Sequence, residues 1–151
     1  MRSTQIPLFS PETEWVMPEE LKDLKGYKKI AIDLETNDPN LKDLGSGNVA
    51  GEGHIAGIAV AVEGWSGYFP VHHEQGGNMD KKLVYAWLQD ILNQVDTTFI
   101  FHNAMYDVCW LRKEGLSIKG HIVDTMIAAS LIDENRLSYQ LNTLAKHYVG
   151  I

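Results

Sequence analysis

The segment IAIDLET at residues 30–36 is an apolar strand that ends in two carboxylates one residue apart. Successive side chains of a strand point to opposite faces, so Asp33 and Glu35 share a face with Ala31 while the larger aliphatic side chains share the other. Like charges this close raise each other's pKa unless a proton or a cation lies between them. The pattern leaves two interpretations open, a cation site or a strand end that enters solvent.

The composition is that of an ordinary globular protein without an excess of basic residues. The 151 residues are 44% apolar and carry a formal net charge of -7, which fits one domain with a real core and disfavours a pure DNA-binding module. A single cysteine, Cys109, excludes an internal disulfide framework. We find no signal peptide and no apolar run of membrane-spanning length, so we expect a cytoplasmic protein without membrane contact.

The order of strand and helix patterns predicts the fold class. Residues 1–27 are expected to form an irregular lead segment because prolines recur in them. Three strands, then an alternation of helices and strands, predict an α/β sandwich with a mixed five-stranded sheet. The predicted strands are 28–35, 54–62, 67–71, 97–101 and 117–123, and the predicted helices are 81–95, 104–113, 124–132 and 138–148.

A third carboxylate follows the fourth predicted strand. Asn103 and Asp107 are four residues apart at a strand-to-helix junction, so they project from the same side of the helix. If this strand lies beside the first, Asp107 joins Asp33 and Glu35 in one crevice, where carboxylate oxygens suit Mg²⁺ or Mn²⁺. Two such ions can activate a water and stabilise a leaving oxygen. The structural alternatives are a helix N-cap for Asn103 and a first-turn acid for Asp107.

Two other motifs do not support a site. The segment GSGNVA at residues 45–50 fits a loose dinucleotide-binding pattern, but a strand rather than a helix follows it. His72 and His73, followed by Glu74, suggest zinc ligands. However, neighbouring residues of an extended chain point to opposite sides and are poorly placed to share one ion.

Two segments carry a family resemblance that covers about residues 28–148. IDLET at 32–36 and HNAMYD at 102–107 resemble the first and second motifs of the DEDD 3′-5′ exonucleases, which have a ribonuclease-H-like fold. More narrowly, the chain resembles the proofreading domain of the family A DNA polymerases that bacteriophages carry. Residues 68–71, and 124–126 leading into 137–148, fall where that family has similar segments.

The resemblance implies a set of roles. Asp33 would bridge two Mg²⁺ or Mn²⁺ ions, Glu35 would hold the ion that activates water, and Asp107 would support the second ion. Thr36 and Asn103 would lie close to the terminal nucleotide. The implied substrate is the 3′ end of single-stranded DNA, and the implied partner is a polymerase domain in the same parent chain, in the host cytoplasm if a phage encodes it.

The resemblance lacks one part, the family's third motif, in which Tyr or His shortly precedes a fourth Asp. Tyr139 and Tyr148 are present, but no Asp follows either of them. His102, five residues before Asp107, lies at the second motif and is discounted. We therefore expect residues 28–151 to be an exonuclease domain incomplete at its C-terminus and weak or inactive alone. The alternatives are a noncatalytic module that binds nucleic acid ends or a partner protein, and an RNA 3′-5′ exonuclease.

Overall fold

The structure, a computed structural model, describes residues 15–151. Residues 1–14, which belong to the expected irregular lead, lie outside the described part. Residues 15–28 contain no helix or strand. No helix within residues 15–151 combines the length and the apolar character needed to cross a membrane.

Within residues 15–151, five strands and six helices follow in chain order. The strands are β1 (Lys29–Asn37), β2 (His54–Val62), β3 (Trp65–Pro70), β4 (Thr98–Phe101) and β5 (His121–Asp124). The helices are α1 (Leu41–Leu44) and α2 (Gly47–Ala50) between β1 and β2, α3 (Lys81–Leu92), α4 (Ala104–Lys113), α5 (Thr125–Ile132) and α6 (Leu141–Tyr148).

The strands form one mixed sheet in the order β3-β2-β1-β4-β5, which confirms the predicted fold class. The pairs β1–β2 and β2–β3 are antiparallel, whereas β1–β4 and β4–β5 are parallel. Parallel neighbours need a crossover, and α4 supplies it between β4 and β5. The central strand β1 therefore lies beside β4, as the convergence of Asp33 with Asp107 requires.

One face of the sheet carries the hydrophobic core. The alternate residues of β1 that share this face, Ile30, Ile32 and Leu34, are buried. They belong to one cluster with aliphatic side chains of α3 and with Trp110 and Leu111 of α4. This alternation is the pattern expected of a strand with one covered face. On the other face, Ala31 and Ile100 are only half-buried.

Several element boundaries differ from the sequence prediction. Helix α3 ends at Leu92 instead of residue 95, and α6 begins at Leu141 instead of residue 138. Strand β5 begins at His121 because the preceding residues bond to α3: Ser117 N donates to the Gln89 side chain at 2.9 Å and Lys119 N donates to the Leu92 carbonyl at 2.8 Å. The expected loop between β1 and β2 contains the two short helices α1 and α2.

Candidate active site

The two carboxylates of β1 lie on the face of the sheet that the main core does not use. Asp33 and Glu35 are both exposed, while Leu34 between them is buried. The register of β1 against β2 shifts between Glu35 and Thr36, which is a bulge of the kind that re-aims side chains at the end of a strand. A Cβ at Gly57, the partner of Glu35, would overlap Tyr68, so glycine here leaves room for that ring.

The hydroxyl of Tyr68 lies close enough to Glu35 to sense its charge. The pKa of Tyr68 is raised, first by burial and second by the charge of Glu35. Tyr68 also bonds through its hydroxyl to Nε2 of His73. The phenol is therefore held protonated beside this carboxylate.

Asp107 is the buried member of the acidic set. Its side chain is 3% exposed, and Oδ1 accepts a hydrogen bond of 3.2 Å from the backbone N–H of Leu34. Burial raises its pKa to about 7, the charge of Asp33 adds to this rise, and the Leu34 N–H opposes it. The pKa of Asp33 is raised as well, by burial, and His102 moderates the rise. Helix α4 thus brings Asp107 directly against β1, beside Asp33.

The junction between β4 and α4 depends on Asp124. Asn103 has φ 68 and makes no side-chain cap hydrogen bond, so it is not the helix cap that its position suggested. The Asp124 carboxylate instead accepts from the N–H groups of Asn103 and Ala104, at 3.1 and 2.8 Å, and from Met126 at 2.8 Å. Burial by itself would raise the pKa of Asp124, but these N–H donors outweigh it and lower the pKa. Asp124 caps α5 and also the start of α4.

Thr36 belongs to a hydrogen-bond chain that the sequence did not reveal. Its Oγ1 lies 2.7 Å from the Tyr106 hydroxyl, which donates to Oδ2 of Asp38 at 3.0 Å. Because the Tyr106 proton is used on Asp38, the Thr36 hydroxyl is the donor to Tyr106. Asp38 also accepts from the Gly47 N–H. The only signal in the sequence is that Tyr106 directly precedes Asp107.

His102 and Tyr139 occupy the other side of the junction. His102 Nδ1 lies 2.9 Å from Thr125 Oγ1, and Nε2 lies 2.8 Å from the Tyr139 carbonyl. The Tyr139 hydroxyl donates to the Asp133 carbonyl at 2.8 Å. His102 therefore fastens the segment before α6 to the end of β4, and it shares with Asp33 a cleft of about 720 Å³ on the open face.

The carboxylates of Asp33, Glu35 and Asp107 are suitable ligands for a hard divalent cation, although the structure does not bring them together into one metal-binding group. Within the described residues 15–151, no group of three or more His, Cys, Asp and Glu side chains has an arrangement that could hold a metal ion. Asp33 and Asp107 nevertheless repel each other, since the charge of Asp33 raises the pKa of Asp107. A cation between these oxygens would relieve this repulsion.

Solved structures with a similar architecture include nucleases and a polymerase. Brucella melitensis NrnC with bound Mg²⁺ superposes with a TM-score of 0.60 at 17% identity, over 83% of this chain and 55% of that one. Escherichia coli RNase D, an exoribonuclease, gives a TM-score of 0.56 at 18% identity, over 83% of this chain and 28% of that one. Pol1 of M. smegmatis gives 0.58 at 17% identity, over 83% and 19%. These likenesses establish the ribonuclease-H-like fold that the sequence predicted.

The family is narrower than the fold. The model of the 3′-5′ exonuclease family of family A DNA polymerases matches residues 10–151, and the chain belongs to that family. Two curated relatives are a DNA-directed DNA polymerase of Pseudomonas phage M6, 35% identical over 98% of this chain, and DNA polymerase DpoZ of Salmonella phage PMBT28, 29% identical over 83% of it. The chain spans only 23% and 18% of their respective lengths. The predicted resemblance is confirmed.

Proposed function

We propose that this site hydrolyses the 3′-terminal phosphodiester of single-stranded DNA with two divalent ions, Mg²⁺ or Mn²⁺, held by Asp33, Glu35 and Asp107. The observation that carries the proposal is the placement of buried Asp107 against the backbone of β1, beside Asp33. A carboxyl group whose pKa is raised first by burial and second by a neighbouring carboxylate is an arrangement that a cation stabilises. The ions would supply the activated water and neutralise the leaving oxygen.

The remaining residues position the substrate in this proposal. Asn103 is exposed, and because Asp124 caps α4, its amide is not committed to the helix end. Thr36 stands at the bulge next to Glu35, and its hydroxyl proton is directed away into the Tyr106 chain. Thr36 directly follows Glu35 on β1, and Asn103 directly precedes α4, the helix that carries Asp107, which supports contact with the terminal nucleotide.

The wider context is part of the same proposal. The relatives are named as DNA polymerases and are several times longer than this chain, which supports an exonuclease domain that works beside a polymerase domain in proofreading. Two of them come from phages, so we place the protein in the cytoplasm of a bacterial host.

The test is release of nucleotides from 5′-labelled single-stranded DNA by this chain with Mn²⁺ or Mg²⁺. We expect slow 3′-to-5′ shortening that falls to background in Asp33→Ala and persists in Asp90→Asn, a matched control at an exposed acid of α3. Shortening that survives Asp33→Ala would refute the assignment. RNA of the same sequence is run in parallel, and preferential shortening of RNA would replace DNA as the substrate.

A second function is favoured by the absence of a three-residue metal cluster among residues 15–151. In that case the chain binds nucleic acid ends, or a partner protein, without cleaving them. Mn²⁺ binding by calorimetry, abolished by Asp107→Asn, together with no shortening at micromolar protein, would support this function over the first.

A further inference from the structure

Two imidazole rings are stacked beside the proposed site, and the proposed chemistry does not use them. His54 begins β2 and His72 follows β3, and their ring centroids are 3.9 Å apart with the planes inclined by 26°. His54 Nε2 lies 3.2 Å from the His72 carbonyl oxygen, and because that oxygen only accepts, the ring nitrogen is the donor. His54 is half-buried and His72 is exposed, so the inner ring is fixed and the outer ring offers a free face to solvent.

The turn that carries His72 is held by hydrogen bonds on both sides. The N–H groups of Val71 and His72 both donate to the Ala56 carbonyl, at 2.9 and 3.0 Å. The next residue, His73, exchanges two hydrogen bonds with the Asn78 side chain, at 2.8 and 3.0 Å. An exposed aromatic ring is thus kept in one position, which lowers the entropy cost of stacking another ring upon it.

The pair lies in a pocket of about 510 Å³ that also includes Glu35 and Thr36, and therefore adjoins the proposed reaction site. The other lining residues include two further acids, Asp38 and Glu74. The carboxylates of Glu35, Asp38 and Glu74 repel a phosphate group. An uncharged aromatic ring with N–H donors can instead donate hydrogen bonds to these carboxylates and stack on the face of the imidazole. The part of a nucleic acid with this chemistry is the base.

We propose that His72, backed by His54, is a stacking platform for one nucleobase of the bound single strand, within about two nucleotides of the reacting 3′ end. The proposal rests on the proposed function, since it assumes that a strand end reaches Glu35 and Thr36. His72 and His73 do not act as a metal pair here, because His72 stacks on His54 while His73 bonds to Tyr68.

The experiment measures binding of a 5′-fluorescein-labelled tetradeoxyadenylate by anisotropy, at low salt, with Ca²⁺ replacing Mg²⁺ to suppress hydrolysis. Variants are His72→Ala, His72→Phe, which restores a flat ring, and His121→Ala, a control at an exposed histidine of β5. Each is also tested with oligonucleotides that carry one abasic residue at the last, second-last or third-last position. Removal of an aromatic platform typically weakens binding roughly 5-fold to 100-fold.

The expected result is that His72→Ala weakens binding within this range, while His72→Phe and His121→Ala stay within about 3-fold of the unmodified chain. One abasic position should weaken the unmodified chain by a similar factor and weaken His72→Ala no further. Equal binding by His72→Ala and the unmodified chain, or an equal abasic penalty in both, overturns the platform while leaving the proposed function intact. An unmodified chain that binds no oligonucleotide overturns both.

Discussion

The two faces of the sheet differ in what they do with the same strands. On the face covered by α3 and α4, the side chains of Ile30, Phe99 and Val60 are at most 1% exposed. On the opposite face the same strands carry Ala31, Asp33 and Ile100, none of which is buried. One face therefore supplies the stability, and the other uses that stability to hold carboxylates that water alone would hydrate more favourably.

The difference extends to the helices. Helices α3 and α4 each contribute several buried side chains to the core cluster. Helices α5 and α6 have one buried side chain each, Ala129 and Leu144, and neither belongs to that cluster. Exposed large apolar side chains instead concentrate at α5 and after it, at Leu131, Ile132 and Leu137. Asp107 connects the core with the candidate site, since it lies on a helix that packs in the core and its carboxyl group lies beside Asp33.

The largest expected effect comes from neighbouring residues of β4 that point to opposite faces. Phe99→Ala removes a fully buried ring from the core and should cost about 3–5 kcal/mol of unfolding free energy. Ile100→Ala removes a half-buried side chain from the open face and should cost about 1–2 kcal/mol. Urea denaturation of both variants measures the difference, and equal costs would show that the open face is packed as tightly as the core.

The second prediction concerns Asp107, where stability and function oppose each other. Between about pH 4 and pH 7 the folded chain keeps a proton on Asp107 that the unfolded chain releases, because burial raises the pKa to about 7. This carboxyl group therefore destabilises the fold increasingly as pH rises, and the penalty levels off above about pH 7. Asp107→Asn, still able to accept from Leu34 N, should stabilise the metal-free chain by up to about 4 kcal/mol at pH 8, because each unit of the raised pKa corresponds to about 1.4 kcal/mol.

Two further measurements check the origin of that stabilisation. The gain of Asp107→Asn should shrink towards zero near pH 4, where the carboxyl group is protonated in both states. Added Mn²⁺ should raise the melting temperature of the unmodified chain and not that of Asp107→Asn. Asp90→Asn, at an exposed position, should show neither effect. A gain that is independent of pH would mean that burial does not perturb this carboxyl group.

Most of the fold could be predicted from the strand patterns, because the alternation of apolar and polar residues along a strand can be read directly from the sequence. The covered face of β1 followed from the alternation of apolar residues. The helix of Asp107 followed from the helix start expected at Asn103. The start of β5 did not, because Ser117 and Lys119 bond to α3 instead of a neighbouring strand. Such long-range polar contacts leave no periodic trace along the chain.

The candidate site also has some features that could be predicted from the sequence and others that could not. The placement of Asp107 beside Asp33 could be predicted from a strand-to-helix junction next to the first strand. The cap that Asp124 provides to α4 could not, since it depends on a left-handed Asn103 and a carboxylate that arrives from the next strand. The chain from Thr36 through Tyr106 to Asp38 likewise joins residues that are about 70 positions apart.

The smallest expected effect concerns the hydrogen bonds that join Thr36, Tyr106 and Asp38. It tests whether these bonds stabilise the core or only order side chains on the open face. Tyr106→Phe removes a hydroxyl that donates to Asp38 and accepts from Thr36, but Asp38 keeps the Gly47 N–H at 3.0 Å. The cost should therefore be about 1 kcal/mol by urea denaturation, with Tyr148→Phe, at a half-exposed ring, near zero.

If Thr36 acts only through Tyr106, then Thr36→Val should add less than about 0.3 kcal/mol in the Tyr106→Phe background, because a double-mutant cycle isolates the shared bond. A fully additive cost would show that the two hydroxyls are satisfied independently. Thr36 would then be free to turn its proton towards a bound nucleotide.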